Sequence, residues 1–243
     1  MPDHDFNAQR LCVEGDLLEG EVVALPPEQA HYVANVIRLA VDGQLLLFNG
    51  RDGEWRARRI AAGKRDVKFE VLERMRTQPA ALTVEYAFAP LKHARLDYMV
   101  QKAVEMGAGI LSPVVTRYTQ VSRVNLERMA ANAVEAAEQC GILTLPQVNP
   151  PRPLVEWVAQ LPAERVLVFC DEAAAESDPV AALRGAPAGP VSVLVGPEGG
   201  FAPEERALLL PRAVTLSLGP RILRADTAAV AALALVEAAR SVM

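Results

Sequence analysis

Two short apolar runs near the end of the chain each open into a glycine- and proline-rich loop that feeds a helical pattern. Val191 to Val195 runs into Gly196-Pro197-Glu198-Gly199-Gly200-Phe201, and Val214 to Leu218 runs into Gly219-Pro220-Arg221-Ile222-Leu223-Arg224. An α/β sheet binds ligands in such loops, beyond the carboxyl ends of its strands. Glycines let backbone amides and carbonyls approach a ligand, and prolines pre-set the loop so that less entropy is lost on binding. One loop of this kind reads equally well as an ordinary tight connection. Two equivalent ones, with Glu198, Arg221 and Arg224 close to apolar Leu218, Ile222 and Leu223, point to a ligand site. Asp226 also reads as the N-cap of the last helix, with Thr227 in its first turn.

Other chemistries lack their residues. Gly107-Ala108-Gly109 is missing the third glycine of a dinucleotide fingerprint and follows a helical pattern, and neither glycine loop carries the Gly-Lys-Ser/Thr of a phosphate-binding P-loop. With only His4, His31 and His93 present, a Ser-His-Asp triad is not indicated; His93 and Asp97 read as an exposed i,i+4 pair. Cys12, Cys140 and Cys170 are far apart and have no CxxC spacing, which suits buried free thiols and implies no metal. Glu135, Glu138 and Gln139, near a helix end, read as a solvated face.

A net charge of -5 argues against a protein that coats nucleic acid through bulk positive charge. The segment from Arg51 to Arg76 nevertheless holds nine Lys/Arg against five acids, with Arg56, Arg58 and Arg59 at its centre. Such a patch suits a selective polyanion partner. A solvated strand face would have the same composition.

These residues need elements to position them. Glu21 to Leu25, Gln44 to Phe48, Glu54 to Ile60 and Val67 to Leu72 have strand character, with Asn49-Gly50 and Asp52-Gly53 as turn signals. Pro27 sits where a first helical residue would, and Ala30, Val33, Ala34 and Ile37 share one face. This predicts a small barrel with one helix. Thr77-Gln78-Pro79-Ala80 marks a boundary between domains 1–76 and 77–243. Beyond it strands alternate with helices: strands at 82–88, 110–115, 165–169, 191–195 and 214–218, helices at 94–106, 126–139, 154–161, 203–210 and 226–239. The pattern predicts an α/β domain with a mainly parallel sheet. At 51% hydrophobic, 243 residues suffice for one large core or two smaller ones. No apolar run approaches bilayer length and the first residues are acidic, so a cytosolic protein is expected, with no membrane partner.

Five motifs together resemble one family. Lys92-x-x-Arg95-x-Asp97, Gln101-Lys102-Ala103-x-Glu105-x-Gly107, Glu135-Ala136-Ala137-Glu138-Gln139-Cys140-Gly141 and the two glycine loops occur in order. With His31-Tyr32-x-x-x-Val36-Ile37-Arg38 and Phe48-Asn49-Gly50 they are similar to the bacterial 16S ribosomal RNA (uracil-N3) methyltransferases. The resemblance implies an α/β SPOUT methyltransferase domain with a trefoil knot, preceded by a PUA-like β-barrel, in a homodimer. It implies S-adenosylmethionine as methyl donor, held by Phe169, Cys170, Val195, Gly196, Gly199, Gly200, Leu218, Gly219, Ile222 and Leu223. The partner implied is 16S rRNA in the 30S subunit or its precursor, methylated at N3 of one uridine, number 1498. Two positions depart from the family: Asp226 stands in place of a glutamate, and Ile142 in place of an arginine.

Transfer to N3 requires loss of a weakly acidic proton between two carbonyls, so Arg224 is the expected stabiliser of the uridine anion. Glu198 or water is the expected proton acceptor. Arg38, Arg56, Arg58, Arg59, Lys92, Arg95 and Lys102 are the expected phosphate contacts. Two other readings stay open: a non-catalytic RNA-binding or assembly protein, and a methyltransferase acting on a ribose 2′-hydroxyl.

Overall fold

The computed structural model describes residues 8–61, 63, 66–121, 123–174 and 178–240, without the side chains of His93 and Arg240. The basic residues Lys64 and Arg65, His4, and the side-chain pairing expected for His93 lie outside this set. The chain divides into two compact units, Met1–Ala80 with Ala137–Leu145, and Ala81–Ala136 with Pro146–Met243.

The first unit is a curled five-stranded sheet. Its strands are β1 (Arg10–Cys12), β2 (Val22–Ala24), β3 (Gln44–Phe48), β4 (Glu54–Arg59) and β5 (Lys68–Arg76), and helix α1 (Pro27–His31) follows β2. The order is β1-β3-β4-β5-β2, antiparallel except for β1 on β3. Alternation along β4 decides which side chains face the core: Trp55, Ala57 and Arg59 are buried, while Arg56 and Arg58 are half-exposed. The helical face forms as expected, with Ala30 and Val33 buried and Ala34 and Ile37 packed against the same core. Past His31, however, the helix widens into a π turn over Tyr32–Val36, closed by Ile37 N–H on the Tyr32 carbonyl at 3.0 Å. Arg38 then takes a left-handed φ of +52°, which costs a non-glycine residue about 1 kcal/mol.

β1 is too short to show an alternating pattern in the sequence, yet it delivers Arg10 to the centre of the unit. There Glu54, buried at the start of β4, accepts from Arg10 Nε at 3.0 Å and from Arg76 Nε and Nη2 at 2.7 and 2.8 Å. Glu138 is not a solvated residue as expected: its Oε1 accepts from Cys12 N–H at 2.8 Å. Ile142 packs against Phe48, Ala137 and Leu143. An apolar side chain there is held by packing and needs no polar partner.

The second unit is the α/β domain. Its elements are β6 (Val84–Phe88), α2 (His93–Glu105), β7 (Ala108–Val115), α3 (Leu126–Cys140), β8 (Gln147–Val148), β9 (Arg152–Pro153) and α4 (Leu154–Gln160). They continue through β10 (Val166–Cys170), α5 (Pro179–Arg184), β11 (Val191–Val195), α6 (Pro203–Leu209), β12 (Ala213–Leu216) and α7 (Ala225–Arg240). The sheet order is β12-β10-β11-β6-β7-β8 and every pairing is parallel. The central strands are apolar runs because helices cover both faces. In α2 the stripe of Met99, Val100, Ala103 and Val104 is buried, and Gly107, at φ +83°, ends the element.

β12 pairs with β10 and not with β11, so the chain must return from the sheet edge to lay α7 on β11, α2 and α5. Ala229, Ala232 and Ala239 are buried along α7, where larger side chains would hold the neighbouring elements apart. Asp226 does not cap this helix as its sequence position suggests. The helix begins at Ala225, Ala228 N–H bonds the Arg224 carbonyl at 2.8 Å, and Asp226 Oδ1 accepts from its neighbour Thr227, from N–H at 2.8 Å and from Oγ1 at 3.4 Å.

Candidate functional site

Parallel pairing of β10 with both β11 and β12 brings three strand ends together, and a cavity of about 270 Å³ lies beyond them. Its lining comes from the segments after these strands, 170–174, 195–201 and 216–223, from Arg206 of α6, and from Ala225 and Ala228 at the start of α7.

Val195, Gly196, Gly200, Leu218, Gly219, Ile222 and Leu223 all line it, and so does Cys170. Burial pushes the Cys170 thiol up to about 12, so it stays a neutral S–H at neutral pH. Phe169 sits behind the wall, fully buried and edge-on to Phe201 with ring centroids 4.9 Å apart. A Cβ on residue 196 would come within 2.4 Å of the Phe201 ring, so only glycine lets that ring close the loop. Gly199 is outside the lining and rests against Tyr118, whose Cβ would lie 3.3 Å from an added one. Ile222 is 93% exposed.

Glu198 lines the cavity and forms an ion pair with Arg95 of α2. Arg221 lines it as well, whereas Arg224 is exposed and outside the lining. The sequence reading missed Asp171, Glu172 and Arg206, all of which line the cavity. Asp171 is buried and accepts from Arg206 Nη2 at 2.7 Å, tying the loop after β10 to α6. The placement of Cys170-Asp171-Glu172 directly after a strand is the one signal the sequence offers. The partner, 35 residues away, is not readable from it.

The basic segment is arranged differently from a bare patch. Arg56 pairs with Glu73 at 2.9 Å, Arg58 with Glu70 at 2.6 Å, Arg51 with Asp16 at 2.7 Å, and Lys68 with Asp66 at 3.2 Å. Arg59 is buried, its guanidinium committed to the carbonyls of Leu39, Ala61 and Gly63. It therefore holds the exit of β4 and is not available to a phosphate. Arg74 lies over the Trp55 ring at 5.8 Å. In the α/β unit Lys102 pairs with Glu105 at 2.7 Å and lies 5.6 Å from the Tyr98 ring centroid, while Lys92 is exposed just before α2. Asp97 binds Arg128 and Asn132.

No group of three or more His, Cys, Asp or Glu side chains suited to a metal occurs among the described residues. No described helix is long and apolar enough to cross a membrane.

Two family models match the chain: an RNA methyltransferase domain over residues 78–237 and an RNA methyltransferase PUA domain over residues 25–72. A ribosomal RNA small subunit methyltransferase E from Rickettsia conorii is 31% identical over 93% of both chains. The crystal structure of a ribosomal RNA small subunit methyltransferase E from Neisseria gonorrhoeae, bound to S-adenosyl methionine, superposes with a TM-score of 0.86 at 27% identity, over 96% of this chain and 98% of that one. A Legionella pneumophila structure in complex with the cofactor SAM gives a TM-score of 0.85 at 29% identity, over 96% and 98%.

Proposed function

Because the chain belongs to the ribosomal RNA small subunit methyltransferase E family, we propose that it methylates N3 of one uridine in 16S rRNA, within the 30S subunit or its precursor. The observation that carries this reading is the cavity at three parallel strand ends, walled by glycine-rich backbone. S-adenosylmethionine is the cofactor and supplies an electrophilic methyl group. The lining suits it: Leu216, Leu218 and Leu223 offer apolar surface for a purine, the backbone at Gly196, Gly200 and Gly219 offers polar groups, and Glu172 and Glu198 favour a cation. The work left to the protein is to orient the uracil and favour loss of its N3 proton. Glu198 is the proton acceptor in this reading, and Arg224 faces the developing anion.

Residues 1–76 act as the PUA-type RNA-binding module and residues 77–243 as the catalytic domain. The protein works as a cytoplasmic homodimer, in which the exposed Ile222 gains cover. Mass mapping of 16S rRNA from a strain lacking this protein tests the target: one 3-methyluridine should disappear, and a missing ribose methyl group instead would refute the base assignment.

Ala228→Leu tests the cofactor's place. Ala228 lines the cavity from α7, and leucine keeps the helical preference while filling the space. Calorimetry should show S-adenosylmethionine affinity down at least tenfold, with about 1.4 kcal/mol per decade, and a melting temperature close to that of the parent. Undiminished affinity would place the cofactor elsewhere.

RNA binding should depend on Arg56 and Arg58, the two half-exposed arginines of β4. Replacing both with glutamine should flatten the slope of log affinity against log salt by about one to two, because fewer counterions are released. An unchanged slope would leave their pairs with Glu73 and Glu70 as strand cross-links only.

A further inference from the structure

A second groove, of about 420 Å³, adjoins the cofactor cavity and shares Pro197 and Glu198 with it as a common wall. Its other lining includes Lys92 and Arg95 at the start of α2, and Tyr118 and Gln120 after β7. We propose that this groove seats the target nucleotide, with the uracil stacked on Tyr118 and a flanking phosphate held by Arg95 and Lys92. The proposal rests on the uridine-methylating function above and adds the place where the substrate enters.

Three features favour an RNA nucleotide. First, Tyr118 is a fixed platform. Thr119 Oγ1 accepts from Thr116 N–H at 2.8 Å, Thr119 N–H returns to the Thr116 carbonyl at 3.2 Å, and Arg117 N–H is held by Glu205 at 2.8 Å. The residue is nevertheless 47% exposed, and an exposed aromatic side chain on a rigid turn is a base-stacking surface. Second, Gly199 has no side chain, which lets the glycine loop of the cofactor cavity lie directly against Tyr118. A base stacked on Tyr118 would thus stand against the loop that walls the cofactor cavity, at the shared edge where its N3 can meet the methyl group.

Third, Arg95 has two alternative partners. Its ion pair with Glu198 leaves the two side chains 42% and 48% exposed, and pairs this exposed hold weakly. A phosphate offers a guanidinium two parallel charge-assisted bonds and competes well for it. As RNA docks, Arg95 exchanges Glu198 for phosphate, and the freed carboxylate lies at the edge shared by groove and cavity, beside the base. The uracil N3–H bond then breaks to the Glu198 carboxylate, leaving the electron pair on N3. RNA entry thereby prepares the proton acceptor, and without RNA the arginine keeps it occupied.

Binding, measured apart from activity, tests this. The substrate is 30S particles from a strain lacking the protein, and the variants are Tyr118→Ala, Tyr118→Phe and Arg95→Ala. Tyr118→Ala should weaken 30S affinity about tenfold, Tyr118→Phe should stay within about twofold because the ring remains, and Arg95→Ala should weaken it severalfold with a shallower salt slope. All three should bind S-adenosylmethionine as the parent does. Parental 30S affinity in Tyr118→Ala, a Phe variant as weak as the Ala variant, or a parallel loss of cofactor affinity would overturn the groove assignment. Failure of the parent to form 3-methyluridine would instead refute the target chemistry, and that is read from the product.

Discussion

Glu54→Ala should destabilise the protein by about 3–5 kcal/mol, the cost of breaking a buried ion pair from one side. The Glu54 side chain is 1% exposed and accepts from two arginines, one of which, Arg10, is 4% exposed. Removing the carboxylate takes from the Arg10 and Arg76 guanidiniums the buried counter-charge that they share. The loss should appear as a lower urea midpoint. It should also depend on pH in a defined direction. Burial pushes the Glu54 carboxyl up, but Arg76 and Arg10 outweigh it and hold the group below its ordinary 4.5. A carboxyl lowered in the folded state adds stability that is fully present above its unfolded value and fades as pH falls through the folded one. The gap between parent and variant should therefore be full at neutral pH and close below about pH 4.5. A gap that persisted in acid would mean that Glu54 acts through packing alone.

This triad also shows where sequence reading stops. Glu54 and Arg76 are visible as charged residues in a strand-like stretch, but Arg10 belongs to a three-residue strand with no period to detect. Only the register of β1 on β3 puts it beside Glu54. The basic segment fails to read as a patch for the same reason. Counting charges along Arg51 to Arg76 yields an excess of cations, whereas cross-strand neighbours decide whether each is free. Glu70 and Glu73 lie opposite Arg58 and Arg56 on β5, and alternation turns Arg59 inward.

The α/β half is more legible because its signals are local. An apolar run followed by Gly-Pro specifies a strand end and a loop together, so the lining residues from β11 and β12 are readable as a pair of loops. That they meet in one cavity follows from β10 lying between the two strands. The pair Asp171–Arg206 and the platform at Tyr118 cannot be read, since each depends on elements distant in sequence. Tyr118 in particular carries no motif; its meaning comes from a locked turn and a glycine on the facing loop.

Arg224→Ala should slow single-turnover methylation of 30S particles by on the order of a hundredfold, the usual cost of removing one donor aimed at developing negative charge. The variant should fold normally. Arg224 is exposed, and its contribution to α7 is the backbone carbonyl that accepts from Ala228, which alanine retains. Losing a cation at a helix N-terminus also relieves an unfavourable encounter with the helix dipole. Because a guanidinium stays protonated at working pH, Arg224 can act as a fixed charge beside the uridine anion but cannot take the N3 proton. Its position outside the cavity lining separates it from Arg221, which lies within. Arg221→Ala should weaken S-adenosylmethionine binding by calorimetry, whereas Arg224→Ala should leave that affinity within about twofold and lose rate alone. Equal losses of rate and cofactor affinity in Arg224→Ala would make it a residue of the cofactor loop. The anion would then need another cation, and Arg221 is the side chain whose placement qualifies it.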